Sequence, residues 1–383
     1  METRNTRRER SLNPKISYVT ISAREDHPYC GLPDLHLFEP TFGTLRKQSF
    51  TDFEAVVVDW HYDKRPDYFT NLDLPFPVKH VPAQPNFWLE RGMPAISEQY
   101  NKGIIYADGE LVFFGVDGWV FPPDFMRDAW SLYLRGAFPM AWYMIDYTHA
   151  PKDHPAKMGS LPKAPFAYDY FGCTGETVEV DHRFGMAFGG NSKAESLHDT
   201  YSWFFSGCAS APLQSLLEIN GFDMNFDGEK TLMDVDVGSR LQLIGQANFV
   251  LARNLYLIRL GLWQIRLRQG PQNVSIKCNY GLLSYARMHK QFRANAHILT
   301  DEDISWIKEV WCGTMCESRE FCKANHPFQF PFEHKEGYEG HGSNRETFNL
   351  WKNSQRTIDL AEERELRLDG DQKYQKGTFT KTD

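Results

Sequence analysis

One short segment of the chain ends a hydrophobic run on a single carboxylate. Residues 111–119 read Leu-Val-Phe-Phe-Gly-Val-Asp-Gly-Trp. Four consecutive apolar residues predict a strand that is covered on both faces, and ligands of open α/β sheets bind just outside the carboxyl ends of such strands. Asp117 is therefore a candidate to hold Mg²⁺ or Mn²⁺ on a phosphorylated ligand, because these ions need only one or two protein carboxylates. The alternative is that Asp117 caps a turn.

The elements around this carboxylate predict an α/β fold. Strands are expected at Ile16 to Ser22 and at Ala55 to Val58, and the second of these also ends on a carboxylate, Asp59. Helices are expected at Leu35 to Lys47 and at Ile96 to Ala107. Three alternations of strand and helix within about 120 residues predict a parallel, doubly wound sheet.

The second half of the chain has a stronger helical signal. A short helix is expected to end at Gly221, and another, from Asp234 to Leu243, is expected to end at Gly245. Further helices are predicted for the ranges 282–293, 301–311 and 354–368. We expect a flexible basic arm at 1–15, a sheet domain at 16–270, and a helical extension with a polar tail at 271–383.

Composition narrows the class of protein and its location. The chain has 383 residues, a formal net charge of -8, and 42 % hydrophobic residues. The negative charge argues against a nucleic-acid partner, and no apolar run is long enough to span a bilayer. The polar, Arg-rich start is not a secretory signal, so we expect a cytoplasmic protein. Seven cysteines predict free thiols, not a disulfide framework.

Several segments, in this order and spacing, resemble the family 2 glycosyltransferases. Val19 to Arg24 is similar to the family's first strand and nucleotide-binding turn, and Phe42 to Phe50 to its "S-L-x-x-Q-T-F" step. The other matching segments are Glu54 to Asp59, Asn101 to Ile104 with Ala107 to Glu110, Asp117 at the second position of the D-x-D motif, Ile219 to Asp223 ("G-G-F-D-E"), and Asp234 to Leu241 ("E-D-x-D-L-x-x-R-L"). Together they cover roughly residues 16 to 260.

The resemblance implies a fold and an activity. It implies the GT-A fold, with a mostly parallel central sheet flanked by helices. It also implies a metal-dependent, inverting transferase that moves a sugar from a nucleotide diphosphate, most often UDP, to a hydroxyl of a glycan, a protein or a small molecule. In that scheme Asp117 holds Mn²⁺ or Mg²⁺ on the diphosphate, and Asp234 takes the proton of the acceptor hydroxyl as general base.

The same resemblance assigns residues to the nucleotide-binding slot. Two of the assigned roles, those of Asp59 and Asp234, have alternatives. Thr20, Ser22, Arg24, Asp59 and Gly115 would bind the donor, with the Asp59 carboxylate accepting from the base or the ribose. Asp59 could instead be a polar strand end, and Asp234 could be an N-cap. Asp236 is expected to cap the helix or to pair with Arg240 at the i,i+4 spacing.

Two positions depart from the family pattern. Gly115 replaces the first Asp of D-x-D, and Met233 replaces the Glu of the E-D pair. These departures favour a second hypothesis, a GT-A-fold protein that binds a glycan or nucleotide without catalysis. A sugar nucleotidyltransferase is disfavoured, because Ala23 to Pro33 lacks a Gly- and Arg-rich phosphate loop.

Histidines and cysteines suggest further metal ligands. His289 is a candidate third ligand for the divalent ion, with His297 and His182 as other choices. The favoured alternative for each is an ordinary surface or core histidine. A set of four residues has spacing that a zinc site could use: Cys312, Cys316, Cys322 and His326. Buried thiols are the favoured alternative. The charged tail either pairs with a second copy in a homo-oligomer or stays solvated, as charge runs usually do.

Overall fold

The structure is a computed structural model, and it describes most of the predicted sheet domain and part of the extension. The described residues are 13–22, 38–69, 71–89, 95–116, 118–148, 173–189, 195–198, 207–227, 232–246, 248–260, 279–314 and 352–375, with the single residues 152, 157, 159 and 204. Asp117, Arg24 and nearly all of the predicted basic arm lie outside them.

The first sheet has five strands, and four of them run parallel. These strands are β1 (Ile16–Ser22), β2 (Phe53–Asp59), β3 (Val78–Pro82), β4 (Leu111–Val116) and, antiparallel at one edge, β9 (Ser210–Pro212). Their order is β3-β2-β1-β4-β9. All residues of β1 and β2 are buried, which is the burial that continuous apolar strands of a parallel sheet require. The predicted α/β class with a mostly parallel central sheet is confirmed.

A second sheet extends the first. It is built from β5 (Trp119–Val120), β6 (Phe138–Asp146), β7 (Val178–Val180) and β10 (Phe249–Leu260), in the order β5-β10-β6-β7, with β8 (Ser196–His198) also paired to β10. An isolated bridge between Met140 and Ala209 joins the two sheets. The residues leading into β9 therefore lie between the end of β4 and strand β6.

Nine helices belong to the described part of the chain. They are α1 (Glu39–Leu45), α2 (Ile96–Tyr106), α3 (Phe125–Tyr133), α4 (His182–Phe188), α5 (Leu213–Glu218), α6 (Met233–Leu243), α7 (Asn279–Met288), α8 (Asp301–Thr314) and α9 (Leu360–Gln375). Helix α2 packs directly on β1, because Gly103 has no side chain: an added Cβ would lie 2.2 Å from Val19 Cγ1. None of these helices has the length and apolar character that crossing a bilayer requires.

Side chains of the extension enter the same core as the sheet. Leu282, Tyr285, Ile304 and Leu360 are buried in the cluster that contains Val19 and Phe114. Helix α9 begins at Leu360 because Asp359 accepts the backbone N–H groups of Ala361 and Glu362. The proposed boundary at residue 271 stays a prediction, but the two parts share buried contacts.

Candidate functional site

Four of the five predicted donor-binding residues lie at the carboxyl edge of the parallel strands. Ser22 pairs in register with Asp59, and Thr20 pairs with Gly115. Because side chains alternate between the two faces of a strand, these four residues lie on one face. Asp117 follows Val116, which pairs with Ile21. The positions of Asp117 and Arg24 themselves lie outside the described residues.

The carboxylate of Asp59 is surrounded by donors. Arg65 donates from Nε and Nη2 over 2.7 Å each, His80 Nε2 lies 2.9 Å away, and the backbone N–H of His61 donates over 2.9 Å. Burial alone would raise the pKa of Asp59, but the bonds from Arg65 and His80 outweigh it and lower the pKa to about 2. A carboxylate accepts about four hydrogen bonds. Asp59 would therefore have to lose one of these four hydrogen bonds before it could accept a hydrogen bond from a nucleobase.

The guanidinium of Arg65 connects the ends of two strands. Its Nη2 also donates to Ser22 Oγ over 3.3 Å, and its Cζ lies 4.8 Å from the centre of the Phe38 ring. No sequence rule indicates this arrangement, because Arg65 lies six residues beyond Asp59, directly after a 3₁₀ turn, and His80 lies on another strand. The sequence analysis missed both residues.

Three buried polar atoms near this edge have no hydrogen-bond partner among the described residues. They are Thr20 Oγ1 and the indole nitrogens of Trp60, which directly follows Asp59, and of Trp119. Buried hydroxyl and N–H groups are normally satisfied, so each marks a place where a ligand or water can bond. Trp119 is also 2 % exposed and meets the Tyr143 ring edge-on at 5.7 Å, which agrees with a packing role for the ring itself.

The glycine at the first D-x-D position is explained by its neighbour. An added Cβ on Gly115 would lie 2.4 Å from Tyr18 Oη and 2.5 Å from Tyr18 Cε2. The ring of Tyr18 is fully buried and contacts Phe121 edge-on at 5.2 Å. Tyr18 therefore occupies the space that a carboxylate at position 115 would need.

Two of the family-like motifs are joined by one amide side chain. Asn101 Nδ2 donates to Phe222 O over 2.8 Å, and Asn101 Oδ1 accepts from Phe222 N over 2.7 Å. Gly221 has a φ of +71°, and a Cβ there would lie 2.3 Å from Asn101 Oδ1. These motif residues thus fix helix α2 to the turn before helix α6, and their role in the structure is architectural.

The candidate base lies in the first turn of α6. Asp234 is partly buried, and its Oδ1 accepts from Val235 N over 3.0 Å. The residue before the helix is Leu232, whose φ of 70° costs an L side chain roughly 1–2 kcal/mol. Because Leu232 holds the N-cap position, Asp234 is not the N-cap of this helix.

A buried ion cluster anchors α6 to its surroundings. Arg240 donates to Asp236 over 2.7 Å and to Asp223 over 3.3 Å, and its Nη1 donates to Gln291 O. The expected i,i+4 pair of Asp236 with Arg240 is confirmed. Burial raises the pKa of Asp236 to about 6, although Arg240 acts in the opposite direction. This cluster holds the helix that carries Asp234.

A buried thiol, that of Cys208, lies beside the end of β4. The thiol of Cys208 is fully buried, and the next residue, Ala209, accepts the N–H of Phe114 over 2.9 Å. Burial raises the pKa of Cys208 to about 12; Arg183 opposes this rise, and the charge of Asp234 adds to it. Cys208 therefore lies beside the predicted metal strand. No sequence pattern indicated Cys208 or Arg183.

The remaining predicted metal ligands do not form a site among the described residues. No group of three or more His, Cys, Asp or Glu side chains there could hold a metal ion. His289 packs between the rings of Tyr285 and Trp306, at 4.4 and 5.1 Å. The side chains of Cys312, Cys316, Cys322 and His326 lie outside the described part, and the structure gives the zinc prediction no support. Cys173 and Cys208 are buried and form no disulfide within the described residues.

Comparison with known proteins gives matches in structure alone. No family model matches the chain, and no curated protein matches it in sequence. A structure of TarS from S. aureus is 13 % identical, with a TM-score of 0.43, over 80 % of this chain and 44 % of that chain. The chain thus spans less than half the length of that structure.

Two other solved structures are similar to the chain. TarS 1-349 in complex with UDP-GlcNAc is 12 % identical, with a TM-score of 0.46, over 95 % of this chain and 92 % of that chain. The mannosyltransferase PcManGT from Pyrobaculum calidifontis, in complex with GDP-Man and Mn²⁺, is 10 % identical, with a TM-score of 0.43, over 78 % of this chain and 69 % of that chain. Because all these TM-scores are below 0.5, we base the function on the site and on the sequence motifs.

Proposed function

We propose that this protein transfers a sugar from a nucleotide diphosphate to a hydroxyl acceptor. The observation that carries the proposal is the common location of Thr20, Ser22, Asp59 and Gly115 on one face, at the edge where parallel strands end. Ligands of open α/β sheets bind at this edge. In the sequence, Asp117 directly follows Val116, the last residue of β4.

The proposed reaction is a single displacement. The acceptor oxygen attacks the anomeric carbon as the bond from that carbon to the diphosphate breaks. The acceptor proton goes to the Asp234 carboxylate, and the nucleoside diphosphate leaves with the electron pair of the broken bond. General-base help of this kind contributes about 10²–10⁴-fold to the rate. Attack from the face opposite the leaving group inverts the configuration at the sugar carbon.

A divalent ion fits this proposal through Asp117. Such an ion, Mn²⁺ or Mg²⁺, would neutralise charge that develops on the leaving diphosphate. Position 115 supplies no second carboxylate, because it is a glycine. The Tyr18 ring fills the space that a side chain there would need. We therefore propose that Asp117 holds the ion and that the donor's phosphate oxygens and water complete its shell.

We propose that the nucleotide sugar binds to side chains that Asp59 holds in place by hydrogen bonds. Arg65 and His80 lie around its carboxylate, and Ser22 contacts the Arg65 guanidinium. The Thr20 hydroxyl lies two residues before Ser22 on the same face of β1. It has no hydrogen-bond partner within the described residues. A UDP-sugar is the donor proposed first, and GDP- and dTDP-sugars belong in the same test.

The test is transfer or slow hydrolysis of nucleotide sugars in the presence of Mn²⁺. We expect activity with at least one donor of a UDP, GDP and dTDP panel. Asp117→Asn and Asp234→Asn should each abolish it, and Asp73→Asn, which changes an exposed carboxylate, should retain it.

The replacement of the first D-x-D carboxylate by Gly115 favours a second candidate function. This is a GT-A-fold protein that binds a glycan or nucleotide without catalysis. Nucleotide binding by the wild type, with no turnover of any donor in the panel, would select it over the transferase.

A further inference from the structure

Tyr100 is a buried residue of helix α2 that contacts two parts of the candidate site. It is 1 % exposed, and its Oη donates to the carbonyl of Gly115 over 3.1 Å. Its ring stacks on the ring of Phe222, with the ring centres 5.0 Å apart and an angle of 27° between the planes. Tyr100 therefore contacts both the end of strand β4 and the turn that precedes helix α6.

The carbonyl that accepts this hydrogen bond belongs to the proposed donor edge. Gly115 is the penultimate residue of β4 and pairs in register with Thr20. The preceding residue, Phe114, meets the Tyr100 ring edge-on at 5.2 Å, and the rings of Phe114 and Phe222 are also 5.2 Å apart. All three rings are buried, and a close-packed group of this kind transmits a shift of one member to the others.

The turn that contains Phe222 is bonded to the helix that carries the candidate base. Asn101, next to Tyr100 on α2, holds the backbone N–H and carbonyl of Phe222 by two hydrogen bonds. Asp223 follows Phe222 and accepts from the buried Arg240 of α6 over 3.3 Å. A displacement of this turn relative to β4 would therefore displace α6 as well.

We propose that Tyr100 is a positioning residue of the transfer site, which sets the distance between the donor edge at Gly115 and the helix that carries Asp234. This inference rests on the proposed function. A general base must lie within hydrogen-bond reach of the proton that it takes, and a misplacement of about 1 Å can cost about 10²-fold in rate. Without its hydroxyl, the Tyr100 ring would still pack on Phe222 but would no longer bond to β4.

The experiment measures turnover per binding site in Tyr100→Phe, by hydrolysis of the donor that the nucleotide-sugar panel selects. Water takes the place of the acceptor in this reaction and gives its proton to the same base. Calorimetric titration with the nucleoside diphosphate of that donor, in the presence of Mn²⁺, counts the sites and gives the Kd. We expect kcat per site to fall about tenfold, with KM and Kd unchanged. A merely structural role would lower the number of sites and leave kcat per site at the wild-type value.

Phe222→Leu breaks the same connection at its other end. It keeps an apolar side chain and the two backbone bonds to Asn101, but it removes the ring on which Tyr100 stacks. We expect a similar loss of kcat per site. The double variant should lose no more than the more impaired single variant, because one connection is broken in both. Effects that multiply in the double variant would be independent of each other and would overturn the inference.

Tyr133→Phe is the matched control. Tyr133 lies on helix α3, and its Oη donates over 2.8 Å to Glu110, which directly precedes β4 at the end opposite to Gly115. This variant also removes one tyrosine hydroxyl bond beside β4, but it leaves the contacts of the donor edge intact. Its kcat per site and Kd should equal those of the wild type, and a tenfold loss of kcat per site here would contradict the role given to Tyr100.

The outcomes separate this inference from the proposed function. If the wild-type protein turns over no donor, the proposed function fails, and this inference fails with it. If the wild type is active and Tyr100→Phe keeps the wild-type kcat per site, the inference alone is overturned. If Tyr100→Phe does not fold, Phe222→Leu decides: a tenfold lower kcat per site at unchanged Kd supports the inference, and a wild-type value overturns it.

Discussion

The contact between Gly115 and Tyr18 makes a quantitative prediction about the departure from D-x-D. In Gly115→Ala the new methyl group would lie within 2.4 to 2.8 Å of the Tyr18 ring, and the ring is fully buried against Phe121. Overpacking of this kind costs about 1–3 kcal/mol, and replacing a strand glycine by alanine returns about 0.5–1 kcal/mol. The difference between these effects spans about 0–2.5 kcal/mol, and we expect a net loss of about 1 kcal/mol in the free energy of unfolding.

A double-mutant cycle with Tyr18→Leu tests the cause of this loss. Shortening the ring removes the clash, so Gly115→Ala should cost less in that background, with a coupling energy on the order of 1 kcal/mol. The assay is urea unfolding monitored by circular dichroism. The slope of the unfolding free energy against urea concentration, m, is compared among the variants.

The control for this cycle is Gly185→Ala, at an exposed position of helix α4. A Cβ at Gly185 meets nothing within 4 Å, so this change should stabilise the protein by about 0.5–1 kcal/mol. An additive cycle would refute the view that Tyr18 excludes a carboxylate from position 115.

Two further predictions concern buried charges. Because its pKa falls from 3.8 to about 2 on folding, Asp59 stabilises the folded state by about 2 kcal/mol above pH 4, and this contribution disappears as the pH falls through 2. Urea unfolding between pH 2 and pH 7 should therefore show a weaker acid dependence in Asp59→Asn, and an unchanged slope would contradict this. Arg240→Met leaves Asp223 and Asp236 buried without their cation and should cost about 3–5 kcal/mol at neutral pH; a loss below 1 kcal/mol in urea unfolding would show that the cluster does not anchor α6.

The sheet at the centre of the fold could be predicted because its strands are continuous apolar runs. β1, β2 and β4 are covered on both faces, so their sequences carry a signal that needs no partner information. Strand β6 gave no such signal, because Pro139 lies inside it and proline usually argues against a central strand. Its pairing with β10, more than 100 residues later, depends on tertiary contacts.

Sequence patterns indicated the carboxylates of the candidate site, but they did not indicate its cations. Carboxylates at strand ends follow from the α/β architecture, whereas Arg65 follows a 3₁₀ turn and Arg183 lies on the short helix α4, and neither has a periodic spacing to its partners. The glycines of the family-like motifs could be found from the sequence. The physical reason for each glycine appears only in the structure. Gly103 admits Val19, and Gly221 admits Asn101.

The central claim is that Asp117 and Asp234 act on one donor bound at the edge of the first sheet. A crystal structure with Mn²⁺ and a hydrolysis-resistant UDP-sugar, with the ion located by anomalous scattering, tests it most directly. We predict the ion in contact with an Asp117 oxygen and the diphosphate, and the Asp234 carboxylate on the opposite face of the anomeric carbon. An ion bound away from Asp117, or Asp234 facing a different cavity from the donor, would contradict the account.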